Sequence, residues 1–497
     1  MTISLQFKFP AHLTVQQFIN QLDNDIDNQL VSSQHYLKTY YDSFDWRLYA
    51  NNRVCEFVDS TLLLKSFESD LLITHIKLNQ VPRFFQQLEQ SELRNQLEAI
   101  LEMRALLPVC TVAYQAYHIN IINADKKTTL RLIIEEYEQF SHRVILQPIK
   151  GYDKETDWFI GLLISKIGLI SNTQPVLITA LEQQGKKIND YSSKPVIRLS
   201  TETSSDIAVK IIYTQLLKTI KDNEYGTIDD IDSEFLHDFR VAVRRTRAAL
   251  SQLKQVLPDD ITAHFSEFFS WLGGITSETR DLDVYLLNFD QYKNALPIDM
   301  REHLEPFQIF LLKKQQQAQQ LLANELRSSY YLSTLSEWRQ YLEQPVLMPS
   351  QLTIKELADK RVSKNFQRVL KEGRAINEQS PAEDLHELRK SCKKLRYLME
   401  FFQSLYPKNK IRELLNALKE LQEVLGDFQD CAVQEVHLKQ FSAEMQTMNT
   451  PADTLLALDS LIANLDNHKV EIRSHFALKF DEFTQEETLD TFKLLFK

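Results

Sequence analysis

Two stretches of this 497-residue chain carry the residue types best suited to chemistry. One reads His237-Asp238-Phe239-Arg240-Val241-Ala242-Val243-Arg244-Arg245-Thr246-Arg247. The other reads His386-Glu387-Leu388-Arg389-Lys390-Ser391-Cys392-Lys393-Lys394-Leu395-Arg396. In both, a histidine is followed by cations at +3, +7, +8 and +10. An arginine fork can hold two oxygens of one phosphate, and lysine adds a point charge, so such rows suit an extended polyanion. Protonated histidines strengthen the grip below about pH 6.5. No nucleophile stands beside a base, and the surrounding Arg and Lys repel a metal ion. The expectation is anion binding with no catalytic residue, no cofactor and no metal.

The elements that position these residues are helices. Neither stretch contains Gly or Pro, and at about 100° per residue positions 0, +3, +7 and +10 fall within an arc of roughly 80°. Each ladder is about 15 Å long at 1.5 Å per residue. Phe239, Val243 and Leu250 in one copy, and Leu388, Cys392 and Leu395 in the other, lie off that arc and are available for a core. A merely solvated face needs no register and usually interleaves acids for i,i+4 pairing; here only Asp238 and Glu387 interrupt. The repeat extends further: 44 residues after each histidine stands an aspartate, Asp281 and Asp430. These acids are expected to orient ladder arginines through buried ion pairs. Arg280 beside Asp281 joins the candidates, as do Arg361, Lys364, Arg368 and Lys371, which repeat the 0, +3, +7, +10 spacing on the preceding helix. Lys210, Lys218 and Lys221 cluster less strictly, and Tyr397 is read as packing.

Charge and composition set the frame. The net charge is −11, so any anion site must come from local clustering of cations. Nine glycines and 14 prolines in a Leu-, Gln-, Lys- and Glu-rich chain favour helix. The four cysteines form no CxxC pair and are read as buried, reduced thiols. No apolar run reaches 18 residues, so the expectation is a cytoplasmic protein without membrane partners.

The predicted fold class is an α+β N-terminal domain with an antiparallel sheet or barrel, followed by an all-α domain of two duplicated helical bundles. Residues 1–190 form the first domain and 191–205 a polar linker. The bundles span 206–343 and 350–480, divided by Gln344-Pro345-Val346-Leu347-Met348-Pro349, and 481–497 is an aromatic tail. Strands are expected at 2–9, 34–41, 53–58, 61–65, 72–77, 111–117, 118–122, 128–135 and 144–148. Helices are expected at 14–28, 80–100 and 155–169. The helical domain is read as 206–222, 231–256, 259–275, 279–293 and 300–326, then 352–377, 382–405, 408–425, 428–446 and 452–478.

The two ladders, with Arg280-Asp281-Leu282-Asp283-Val284 after the first and Arg396-Tyr397 and Leu425-Gly426-Asp427-Phe428-Gln429-Asp430 after the second, resemble the CHAD (conserved histidine α-helical) domain over about 204–480. The resemblance implies a non-catalytic protein that binds inorganic polyphosphate on a basic surface between the bundles and associates with polyphosphate granules. Nucleic acid is disfavoured because the ladders lack interleaved aromatics for base stacking. Nothing in the sequence sets an oligomeric state.

The N-terminal part resembles the CYTH (triphosphate tunnel) domain through its first strand, the stretch Tyr40–Leu48 and the stretch Pro148–Glu155. That family opens with Glu-x-Glu-x-Lys, whose acids hold a catalytic divalent metal. The matching positions are Ser4, Gln6 and Lys8, so the resemblance is to a degenerate member. Lys8, Arg47, Lys65, Arg104 and Arg131 are candidates to line a basic cavity. The alternatives weighed are a tripolyphosphatase in this half and a nucleic-acid-binding or scaffold role.

Overall fold

The computed structural model describes residues 5–10, 12–171, 175–193, 195–377 and 379–496, the side chains at 466, 467 and 470 excepted; Ser4 lies outside the described residues. The chain divides into two compact units, Met1–Ser193 and Lys194–Lys497.

The first unit is built on one antiparallel sheet. Its strands are β1 (Leu5–Lys8), β2 (Asn28–Asp42), β3 (Arg53–Val58), β4 (Thr61–Ser66), β5 (Leu72–Lys77), β6 (Leu107–Ile122), β7 (Thr128–Tyr137), β8 (Arg143–Pro148) and β9 (Ile170–Ser171). They lie in the order β5-β4-β3-β2-β6-β7-β8-β1-β9, an open sheet rather than a closed barrel. The two runs expected at 111–117 and 118–122 are one strand, β6, because β2 offers it a partner along its whole length, from Asn28 opposite Ile121 to Asp42 opposite Leu107. Alternation supplies the core: Leu130, Leu132 and Ile134 of β7 and Val144 and Leu146 of β8 pack under Phe18 and Leu22 of α1 (Val15–Asp25). Phe159 and Leu163 of α4 (Asp153–Ser165) join the same core. The turn α2 (Arg47–Ala50) and α3 (Glu92–Leu101) cover β3 and β4, and α5 (Val176–Gln183) packs beside Cys110 and Val112 of β6. The reading from sequence has no α5; Pro175 starts it at the N-cap.

The second unit is helical. It contains α6 (Ser205–Ile228), α7 (Ser233–Gln252), α8 (Asp259–Ile275), α9 (Ser277–Leu287), α10 (Phe289–Asn294), α11 (Glu305–Leu326) and α12 (Ser329–Glu343). Then follow α13 (Ile354–Ala375), α14 (Ala382–Phe402), α15 (Lys408–Gln446), α16 (Ala452–Phe483) and α17 (Glu486–Leu495). The two sequence halves begin side by side: Ser205 N–H donates to Leu352 O at 2.9 Å and Ile354 N–H to Thr203 O at 2.8 Å. One core then runs through both halves, with Ile212, Phe239 and Val243 from the first and Val362, Leu388, Cys392 and Leu395 from the second. A second core joins Leu282, Phe307 and Leu311 to Leu438, Phe441 and Leu458. The break expected between 425 and 428 is absent, and α15 runs through Gly426 for 39 residues. One interior glycine costs a helix only about 1 kcal/mol. Helix α12 was not expected; Ser328 caps it by accepting from Tyr331 N–H at 3.2 Å.

The aromatic tail docks on the second half. Phe492 stacks on Phe366 with ring centroids 3.7 Å apart, and Phe496 meets Tyr406 at 4.7 Å. Phe480 lies directly over Gly373, where any Cβ would strike its ring. Gly373→Ala should therefore cost about 1–3 kcal/mol by overpacking, read as a lowered midpoint of chemical unfolding. All four cysteines are free and buried, as the sequence leads one to expect. No helix of the described residues is long and apolar enough to cross a membrane.

Candidate functional site: a basic groove between the two repeats

Helices α7 and α14 carry the ladders and pack on each other. Asp232 starts α7 by accepting from the N–H groups of Glu234 and Phe235 at 3.0 and 3.2 Å. Phe239, Val243 and Leu250, with Leu388, Cys392 and Leu395, are all buried, so the apolar faces fix how each helix is rotated. What remains outward on both is the cationic face.

Two cavities form there. A basic lobe of about 560 Å³ is lined by Arg244, Arg247, Ala248, Ser251, Ser266, Ser270, His386, Arg389, Lys390, Lys393, Lys394 and Tyr397. A mixed lobe of about 540 Å³ is lined by His237, Arg240, Arg244, Arg280, Asp281, Val284, Tyr285, Asn288, His386, Arg389, Lys393, Gln429, Asp430, Val433, Gln434 and His437. Arg244, His386, Arg389 and Lys393 line both, so the lobes are two stretches of one groove to which both repeats contribute.

The cations differ in how firmly the protein already holds them. Arg240 donates to Thr276 Oγ1 at 2.7 Å, Ser277 Oγ at 3.1 Å and Gly273 O at 3.3 Å. Arg280 donates to Ser233 O at 3.2 Å. Arg389 pairs with Asp430 at 3.0 Å. By contrast, among the described residues Arg244, Lys393 and Lys394 carry no hydrogen bond or ion pair within the protein. Crowding shows in the ionisation. Burial pushes Arg240 down to about 10, with Asp281 opposing and Arg244, Arg280 and Arg247 adding repulsion. Burial, then Arg389 and Arg244, push Lys393 down to about 8, against Asp430. The groove thus holds crowded positive charge that a bound anion relieves.

A titration follows. Bound phosphate raises the Lys393 pKa, so the contribution of Lys393 is complete below about 8 and is lost as pH climbs toward the ordinary lysine value of 10.5. Polyanion affinity measured across that window should fall for the native chain and stay flatter for Lys393→Arg.

Several expected residues lie elsewhere. Arg245 is buried, forms an ion pair with Glu400, and lies 5.9 and 5.8 Å from the ring centroids of Tyr397 and Phe401. At +8 it stands about 80° from the histidine, off the arc that faces the groove. On α14 that arc is rotated, running through Lys390, Lys394 and Tyr397, which leaves Arg396 outside. Arg396 instead donates to Glu400 at 2.8 Å and Gln422 at 3.1 Å. The α13 set does not reach either lobe: Arg361 donates to Lys254 O at 2.6 Å, Arg368 pairs with Glu372, and Lys364 and Lys371 are exposed. Their helix turns Val362, Phe366 and Val369 into the core, which commits its cationic face to solvent. Lys210, Lys218 and Lys221 likewise serve local carbonyls and acids. Asp430 does hold a ladder arginine, but from a side chain that is 63% exposed rather than buried. Tyr397 both packs on the core and lines the basic lobe.

His437, Tyr285, Gln429, Gln434 and Asn288 were missed. A signal for His437 existed: Asp430, Val433 and His437 share i, i+3, i+7 spacing on α15. Gly273 leaves room for the end of the Arg247 side chain, whereas Gly426 sets no such limit on Arg389. A Cβ on Gly273 would stand 2.8 Å from Arg247 Nη1, and one on Gly426 would stand 3.9 Å from Arg389 Nη2.

In the β unit a cavity of about 880 Å³ is lined by Lys38, Glu56, Lys65, Asp70, Tyr114, His118 and Glu135, among others. Of the five cations expected there only Lys65 lines it. Arg47 pairs with Asp45 and Glu102, Arg104 is buried against Asp45, Arg131 is exposed, and Lys8 borders a separate small cavity. Lys38, unnoticed in the sequence, sits between Glu135 at 3.3 Å and Glu56 at 3.7 Å. Burial disfavours its charge, but Glu135, Tyr40 and Glu56 outweigh that and raise its pKa. Lys65 also pairs with Glu56. The carboxylates neutralise these lysines internally, so the cavity is not a basic one. Gln6 bridges Asp70 and Arg143, a neutral link where a metal-holding acid was sought. Among the described residues no cluster of three or more His, Cys, Asp or Glu could hold a metal ion.

Comparison with known proteins matches the ladders to a family. The family model for the CHAD domain matches residues 211–439. Among solved structures, the CHAD domain of the plant Ricinus communis is similar at 24% identity and a TM-score of 0.50, covering 59% of this chain and 96% of that one. PptA from Streptomyces chartreusis is similar at 16% identity and a TM-score of 0.42, covering 56% and 99%. A Hippeastrum protein, described as an adenylyl cyclase with a dominant triphosphatase activity, is similar at 14% identity and a TM-score of 0.28, covering 39% and 100%. No curated protein matches the chain. The likeness to the Ricinus domain shows a shared helical fold, and the family match covers both ladders and both aspartates that follow them: residues 211–439 of this chain are a CHAD domain.

Proposed function

We propose that the CHAD domain holds a linear chain of inorganic polyphosphate in the groove between α7 and α14 without hydrolysing it, and that this binding is what associates the protein with polyphosphate granules. One observation carries the reading: cations from both repeats converge on a single groove, and among the described residues Arg244, Lys393 and Lys394 have no internal partner. Polyphosphate has roughly one charge per phosphate and no bases to read, so it needs a row of donors more than a shaped pocket. The basic lobe offers that row, with no acid in its lining among the described residues. The β unit takes no part in hydrolysis in this reading, since Gln6 stands where a metal-holding acid would and the cavity lysines are already neutralised.

The test cuts each repeat separately. Arg244→Ala/Arg247→Ala in α7 and Lys390→Ala/Lys394→Ala in α14 should each weaken binding of long-chain polyphosphate by about ten- to a hundredfold. If either pair leaves affinity unchanged, the composite groove is wrong.

A further inference from the structure

The two lobes are chemically unlike, and the difference has a direction. In the basic lobe, the uncommitted Arg244, Lys393 and Lys394 stand with serines and no carboxylate in the lining, beside Arg247, Arg389 and Lys390, which have partners in Ser270, Asp430 and Glu387. The mixed lobe shares Arg244 and Lys393 with it, but there Arg240, Arg280 and Arg389 are already tied to protein oxygens, and two carboxylates, Asp281 and Asp430, enter the lining. Gln429, Gln434 and Asn288 add amides, while Val284, Tyr285 and Val433 add apolar surface. The basic lobe suits a run of phosphates. A continuing run of phosphates is poorly served by the mixed lobe, because each internal phosphate brings a fixed negative charge and no proton to offer a carboxylate.

A terminal phosphate differs in this respect. Like a phosphomonoester it has a second ionisation near pH 6, so it keeps an O–H donor for part of the time near neutrality. That O–H can donate to a carboxylate, while its remaining oxygens accept from Arg389, Lys393 or an amide. Arg389 lines both lobes and is held by Asp430 at 3.0 Å, which puts an acceptor carboxylate where the phosphate-holding row meets the mixed lobe.

Resting on the polyphosphate reading above, we propose that the mixed lobe receives the end of the chain: the protein caps polyphosphate termini, with Asp430 and Asp281 selecting the terminal phosphate and the basic lobe holding the phosphates next to it. The acids in this anion site are then its specificity element.

The experiment titrates the full-length protein against linear polyphosphate of short, intermediate and long defined lengths, and against the same chains with both ends blocked as methyl phosphoesters. Mass photometry reads protein bound per chain, and competition reads affinity. End capture predicts one protein per free end at every length, and about tenfold weaker binding to blocked chains, the equivalent of one charge-assisted hydrogen bond. Asp430→Asn, on an exposed side chain, should lose most of that preference while still binding polyphosphate. Protein bound in proportion to chain length, or equal affinity for free and blocked ends, overturns the proposal and leaves groove binding intact. If neither kind of chain binds at low salt, the polyphosphate reading fails and this one with it.

Discussion

Alanine at both Arg244 and Lys393 is expected to weaken binding of long-chain polyphosphate by about a thousandfold at constant salt, two charge-assisted contacts at about 1.5–3 kcal/mol each. These two side chains come from different repeats, line both lobes and, among the described residues, hold no partner of their own. Isothermal titration calorimetry with unlabelled polyphosphate measures the loss. The fold should not suffer. Lys393 is a half-buried cation pushed down to about 8 by burial and by Arg389 and Arg244, and removing it relieves that repulsion. The sign is definite: a lysine depressed in the folded state opposes folding below about 8, and less so as pH rises toward 10.5. Lys393→Met alone should therefore raise the melting temperature at neutral pH while weakening binding. A variant that loses both stability and affinity would place Lys393 in the scaffold instead.

The second large effect falls on a ladder residue that the groove does not use. Arg245→Ala is expected to cost about 3 kcal/mol, because it leaves the half-buried Glu400 beside one arginine where it now has two. Arg245 is only 7% exposed and has Tyr397 and Phe401 beside its guanidinium, so the substitution also leaves a cavity. Urea unfolding reads the cost, and Arg245→Met, which keeps the volume, should restore part of it. The fraction that remains folded should bind polyphosphate within a factor of about two of the native chain, since surface-remote changes leave contacts intact. Native stability with lost binding would return Arg245 to the site.

This contrast shows what the sequence could and could not disclose. The register of the ladders was legible because helical periodicity is fixed: once Phe239, Val243, Leu388 and Cys392 are buried, Arg244 and Lys393 must face out. The duplication was legible in the spacing of His237 to Asp281 and His386 to Asp430. Rotation of one helix against the other was not, since it depends on how two apolar faces pack. That rotation brings Lys394 into the groove and turns Arg396 toward Glu400. The α13 cations repeated the right spacing on a helix whose buried face points the wrong way for it. His437 and Tyr285 come from helices remote in sequence and meet the ladders only in three dimensions. In the β unit, strand pairing across the sheet set Lys38 beside Glu56 and Glu135, an ion cluster that periodicity alone could not assemble. The continuity of α15 through Gly426 shows the same limit, because a glycine reads as a break unless its neighbours are known.

The most direct test of the central claim is the affinity of the intact protein for long-chain polyphosphate across a salt series. The groove predicts tight, saturable binding at low salt. Affinity should then fall linearly in log–log form with a slope of several units, as counterions released by a row of cations require. A chain that ignores polyphosphate at low salt, or binds it without a salt slope, would contradict the account.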